Sequence, residues 1–311
     1  MKVRQSVVTG MIAVALVAVN PGISAPNSNT TGVPTQMVIT VRPAAGSPRT
    51  DSLEADDLTV LRGNTPVRVL RLQRLAGDLA DMQLFVLLDD STRSSSLGIQ
   101  LPELRTFLES LPATTQVAIG YMRNGSAVMA QAFTTDHGKA SRALRLPMAV
   151  PGANGSPYFA LSDLAKHWPS KQSADRRAVL MLTDGVDRYY GTTAMDDPYV
   201  DASIHDALKD GVMVYSIYLR DAGAYDERSW VTVTAQSRLD QVSEETGGYA
   251  YFENFSDPVT ISPFLQDFSD RLANQYLVTI EILNQKSVQP VKLRTVLPGF
   301  KIEAPTRVYV R

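Results

Sequence analysis

LFVLLDDSTRSSSLG, residues 84–98, runs five apolar residues into two acids, a row of hydroxyls and one arginine. A short apolar run bounded by polar turn formers reads as a strand buried on both faces, as in a parallel sheet covered by helices. After the turn, Leu101, Leu104, Leu108 and Leu111 recur on one helical face. The unit then repeats. TQVAIGYM and SAVMAQAF are strands about an Asn124-Gly125 turn, and a helix carries Leu161, Leu164 and Trp168. AVLML is a strand, residues 199–210 a helix and VMVYSIYL a strand; a closing helix aligns Phe264, Leu265, Phe268 and Leu272. Alternation of this kind predicts an α/β fold built on a parallel sheet.

Outward from this core the pattern changes. A Ser/Asn/Thr/Pro-rich linker over residues 26–36 precedes MVITV, LTVLR and VRVLRLQRL within residues 37–79. Residues 276–311 return to strands with YLVTIEI, PVKLRTV, FKIEA and RVYV. Neither set carries enough apolar surface to stand alone, so the two are expected to pair as a small β-sandwich-like annex beside an α/β domain of residues 80–275.

Composition removes several classes of partner. With 30 basic against 32 acidic residues and a net charge of −2, the chain has no electrostatic grip for nucleic acid. Residues 1–25 read as an export signal, with Lys2 and Arg4 ahead of an apolar Val7–Val19 run and Ser24-Ala25 at its end. That run is too short to span a bilayer, so the processed protein is expected to be secreted or periplasmic without an integral membrane span. Cysteine is absent, which excludes disulfides.

Chemistry is expected where strands end, because loops diverge at the carboxyl edge of a parallel sheet and leave a crevice. Asp89 ends one strand and Asp184, in VLMLTDG, ends another; Ser91 and Ser156 supply hydroxyls nearby. Oxygen donors without histidine or thiol suit magnesium, manganese or calcium. The same residues also have plainer uses. Asp89, Ser91 and Asp184 are candidates for helix caps, and so, more strongly, are Asp90 and Ser94–Ser96. Asp187, Asp196, Asp197 and Asp201 read as a solvated acidic loop, in which Tyr189, Tyr190 and Tyr199 form either a recognition rim or a packed lid. His137, His167 and His205 are isolated and read as exposed.

LFVLLDDSTRS, NGSPYFAL and VLMLTDG, in that order, resemble the von Willebrand factor type A domain, and YFALSDL with TGGYAYF resembles a bacterial exported branch of it. The resemblance covers roughly residues 80–275 and implies a doubly wound, mostly parallel six-stranded sheet flanked by helices. It also implies a metal-ion-dependent adhesion site, with Asp89, Ser91, Ser156 and Asp184 as ligands and Mg2+, or Mn2+ or Ca2+, as the ion. Asp90, Arg93, Tyr158, Asp187, Tyr189 and Tyr190 would modulate binding there. Arg93 departs from the pattern, standing where the family has its second serine. A unit positive charge about 4 Å from a divalent ion is repelled by roughly 8 kcal/mol at an effective dielectric near ~20. Arg93 therefore points away, or the ligands slip to Asp90, Thr92 and Ser94, or Arg93 itself neutralises Asp89 and Asp184 in the metal's stead. The function expected is a non-enzymatic adhesion module that binds a protein partner through an acidic side chain. The alternative is a metal-dependent hydrolase or phosphoryl-transfer enzyme with Asp89 as nucleophile; phosphate loops, GxGxxG and a nucleophile elbow are missing from the sequence.

Overall fold

The computed structural model describes residues 32–43, 53–150, 155–172, 174, 176–190, 196–220, 229–283, 287–295 and 297–311. The expected export signal lies outside them. Of the expected linker, residues 32–36 belong instead to the first strand, β1 (Gly32–Pro43), whose pairing extends back to Gly32. In chain order there follow β2 (Leu58–Arg62), β3 (Thr65–Arg74), β4 (Met82–Asp89), α1 (Ser94–Ser110), β5 (Thr115–Arg123), β6 (Ser126–Thr134), α2 (His137–Arg142) and α3 (Pro157–Lys166). Next come β7 (Arg176–Thr183), α4 (Pro198–Asp210), β8 (Val212–Tyr218), α5 (Ser229–Thr246), β9 (Ala250–Tyr251) and α6 (Ser262–Ala273). The chain closes with β10 (Gln275–Leu283), β11 (Ser287–Pro290), β12 (Lys292–Thr295), β13 (Phe300–Glu303) and β14 (Arg307–Val310).

The α/β part is a six-stranded sheet in the order β6-β5-β4-β7-β8-β9. All neighbours are parallel except β5 and β6, the hairpin whose Asn124-Gly125 turn takes positive φ at both residues. Every residue of β4 is buried, because the sheet is covered on both faces. Met82, Leu84, Val86 and Leu88 pack with the apolar stripes of α1 and α6 and with Ala140 of α2. Phe85 and Leu87 face the other way, onto Leu161 and Leu164 of α3, Ile204 of α4 and Leu239 of α5. Each large side chain so enclosed contributes about 1.5–3 kcal/mol. Trp168 lies beyond the end of α3 and packs at a tilt on Phe85 and Phe133.

The chain leaves β4 through α1 toward β5, and leaves β7 through α4 toward β8 on the opposite side. Strand order reverses between β4 and β7, so their carboxyl ends open a crevice.

Strands β1–β3 and β10–β14 form the annex together. Its six strands, all antiparallel, run β12-β2-β3-β10-β1-β13, and the β11-β14 ribbon pairs separately. The edge strands β12 and β13 approach each other, so the sheet curls toward closure around Ile39, Val60, Ile280, Val308 and Val310. β10 follows α6 after a single residue, Asn274, and becomes a central strand of the annex. Buried Arg176 secures this seam, donating to Leu272 O (2.7 Å), Gln275 Oε1 (2.8 Å) and Ala80 O (3.0 Å). Among the described residues, no helix is long and apolar enough to cross a membrane.

Candidate functional site

The turn after β4 is organised by Asp89. Its Oδ1 accepts from the Ser91 amide (2.9 Å) and hydroxyl (2.7 Å), and Thr92 Oγ1 donates back to the Asp89 carbonyl (2.8 Å). An aspartate that bonds the backbone two residues on replaces a ladder partner with its own side chain, which lets a buried strand turn sharply. From the neighbouring strand Thr183 Oγ1 donates to Asp89 Oδ2 (2.9 Å). Burial and the charge of Asp184 push the Asp89 carboxyl above the usual carboxylate range, against the pull of Ser91 and Thr183.

β7 ends in the same way. Asp184 Oδ1 accepts from the Val186 amide (2.9 Å), and Gly185 turns the chain at φ +67°. No side chain fits at Gly185: a Cβ would lie 2.8 Å from Leu239 and 3.0 Å from the Ala235 carbonyl. The other oxygen, Asp184 Oδ2, takes Arg188 Nη2 at 2.6 Å.

The loop after β7 is tied to the start of α3 by three bonds. Tyr158 OH donates to Gly185 O (2.8 Å), Ser156 Oγ to Asp187 Oδ2 (2.6 Å), and the Arg188 amide to Gly155 O (2.7 Å). Ser156 also caps α3, accepting from the Phe159 amide. Asp187 is fully buried and its Oδ1 accepts from the Tyr189 and Tyr190 amides (2.8 and 2.9 Å). The two rings project outward, 61% and 45% exposed, and with Phe159 and Tyr199 form a chain of ring contacts.

Of the residues expected as ligands, Asp89, Ser91 and Asp184 do gather at the β4 and β7 ends, and Ser156 joins through Asp187. Neither Asp89 nor Ser91 caps a following helix: the cap residue of α1 is Arg93, which lends no side-chain bond. Asp187 and Asp197 are not solvated. Asp197 caps α4 and pairs with buried Arg238 (3.2 Å), while Asp196 and Asp201 are exposed as expected.

Two expectations are corrected in charge. Asp90 is neither a cap nor a slipped ligand; it is completely buried and clamped by Arg123 (Nη2 2.6 Å) and Arg145 (Nη1 2.6 Å), with the Met148 amide as a further donor. Burial alone would raise its carboxyl, but these bonds hold it below the usual range. Arg93 is exposed, and the arginine seen on Asp184 is Arg188 (2.6 Å). Its field falls on Asp257, whose carboxyl burial raises and Arg93, with the Ser96 hydroxyl and Arg220, pulls back. At the β7 end, the cation bonded to a crevice carboxylate is Arg188.

Thr183 and Arg188 are the site residues that sequence reasoning missed, while Asp187, expected there as a modulator, bonds Ser156 directly. DGVDR carries a signal for Arg188, since an acid four residues before an arginine places the two charges within reach in a tight turn. Among the described residues, no cluster of three His, Cys, Asp or Glu groups has a metal-binding arrangement. His137 bonds the Thr115 carbonyl, His167 pairs with Asp163 at the surface and His205 abuts Tyr309.

No family model matches the chain, and no curated protein does. Among solved structures it is similar to an aerotolerance-related membrane protein from Bacteroides fragilis NCTC 9343 carrying multiple mutations to serines. That match has 12% identity and a TM-score of 0.42, covering 61% of this chain and 98% of the other. It is also similar to the conserved hypothetical protein BatB from Bacteroides thetaiotaomicron, at 14% identity and TM-score 0.41, over 62% and 97% of the two chains.

Proposed function

We propose that this chain is an exported binding module of the von Willebrand factor type A kind, which holds an acidic side chain of a protein partner at the crevice between β4 and β7. The observation that carries the reading is the meeting of buried Asp89 and Asp184 at adjacent strand ends, with Arg188 paired to Asp184 and with exposed Tyr189 and Tyr190 alongside. Exposed aromatic rings around a buried polar centre suit protein recognition, because they bring contact area with little side-chain entropy to lose. Catalysis by Asp89 is disfavoured by the same geometry. Both of its oxygens already accept hydrogen bonds, so a nucleophilic attack would first have to break that network.

Site-specific photo-cross-linking tests the reading. A photoreactive residue at Tyr189 should give a discrete adduct in the native envelope or culture fluid that disappears in Asp184→Ala, while the same residue at annex position Leu283 gives none. Adducts indifferent to Asp184 would sink the proposal. Turnover of generic phosphatase or esterase substrates that vanishes in Asp89→Ala would replace it with the enzyme reading.

A further inference from the structure

We propose that Arg188 is a tethered cation standing in the place of the divalent ion, so that the wild-type crevice works without metal. This rests on reading the crevice as a von Willebrand type A site. The donors that an ion would need are spent on one another: Ser91 Oγ on Asp89 (2.7 Å), Ser156 Oγ on Asp187 (2.6 Å), and the Asp184 oxygens on the Val186 amide (2.9 Å) and Arg188 (2.6 Å). Three carboxylates, Asp89, Asp184 and Asp187, are buried here, and a counter-charge inside the crevice is what lets them stay so. Arg123 and Arg145 pair with Asp90 and Arg238 with Asp197, whereas Arg188 is bonded directly to Asp184.

The placement is built by the fold. The Arg188 amide is fixed to Gly155 O, and its neighbours Asp187 and Tyr189 are locked to each other and, through Asp187, to Ser156. The guanidinium therefore enters the crevice from a pinned backbone, with only 15% of its side chain exposed. A guanidinium cannot share its place with a divalent cation, because the two charges repel and both claim Asp184. A partner carboxylate then meets the positive charge of a guanidinium instead of a coordinating ion.

Titration calorimetry with Mn2+ and Mg2+ on purified protein tests this. Wild type is expected to show no saturable binding at millimolar metal and no change in melting temperature with metal or chelator. Arg188→Gln, checked for native circular dichroism, is expected to bind Mn2+ about tenfold or more tightly than wild type and to gain melting temperature with added metal. Arg188→Gln/Asp184→Asn should lose that gain. Wild type binding metal as tightly as Arg188→Gln overturns the proposal, as does Arg188→Gln that stays folded yet ignores metal. Should Arg188→Gln not fold, Mn2+ paramagnetic resonance on wild type still decides it, since immobilised ion in the wild-type crevice overturns the idea. Failure of the cross-linking at Tyr189 would remove the partner while leaving these metal titrations intact, so the two readings fall separately.

Discussion

Single residues decide how the crevice is charged. Asp89, Ser91, Ser156 and Asp184 were legible because strand-end acids and hydroxyls stand in order between clear apolar runs. Which arginine serves them was not legible, because a long side chain reaches several partners and sequence proximity does not choose among them. Arg93 lies nearest in sequence to Asp89, yet it begins a helix whose first turn faces Asp257. Arg93→Ser should accordingly leave metal response unchanged, which the same titrations would read. Asp90→Asn should cost about 2 kcal/mol in chemical denaturation, because two half-exposed arginines keep facing an uncharged amide. Gly185→Ala combines an unfavourable φ with contact against Leu239. It should destabilise by roughly 2 kcal/mol or more and release the Tyr158 bond to the loop, which the Tyr158 hydroxyl signal would report.

Among the elements, buried strands and the α1 and α6 stripes were readable because their periodicity is unbroken. α5 was not identified, although it spans Ser229–Thr246. Its sequence SWVTVTAQSRLDQVSEET mixes β-branched and polar residues and carries no strong apolar stripe; Leu239 and Val242 commit it to the sheet only once the sheet exists. The annex was readable as strands but not in its order, since alternation fixes which face is buried and leaves the partner open. Removal of residues 285–311 takes β12 from β2 and β13 from β1, and uncovers the core around Val60 and Ile39. Hydrogen exchange should accelerate in β2 and at the Thr40–Pro43 end of β1, which lose β12 and β13, while β4 and β7 stay protected. Unchanged protection both in β2 and at Thr40–Pro43 would refute the pairing.

For the whole molecule, the seam between the α/β part and the annex is polar and pH-sensitive. Asp267 of α6 meets Arg271 (2.5 Å) and Arg42 of β1 (2.8 Å), and Arg271 also reaches Glu303 of β13. Burial alone would raise the Asp267 carboxyl, but Arg271, Tyr251 and Arg42 hold it below its usual value near 3.8. A depressed carboxylate binds its proton more weakly in the folded than in the unfolded chain. Its contribution is therefore complete above pH 3.8 and disappears as pH falls through the lowered folded value. Thermal melts should show Asp267→Asn less stable than wild type at neutral pH, with the gap closing in that acidic window. A gap that widens on acidification would contradict the assignment.

The strand order of the annex also sets a sequence of events in time. β10, flanked by β1 and β3, pairs Leu283 with Gly32 across almost the whole chain. While the chain is being made, β1–β3 have no central strand to join until residues beyond 275 have emerged. The α/β sheet, with its more local strand pairings, can condense first, and the closure entropy of this longest loop falls on the annex alone. Refolding followed by pulsed hydrogen exchange should then show β4 and β7 protected before β1. β1–β3 and β10 then act as the last clasp on a body already formed.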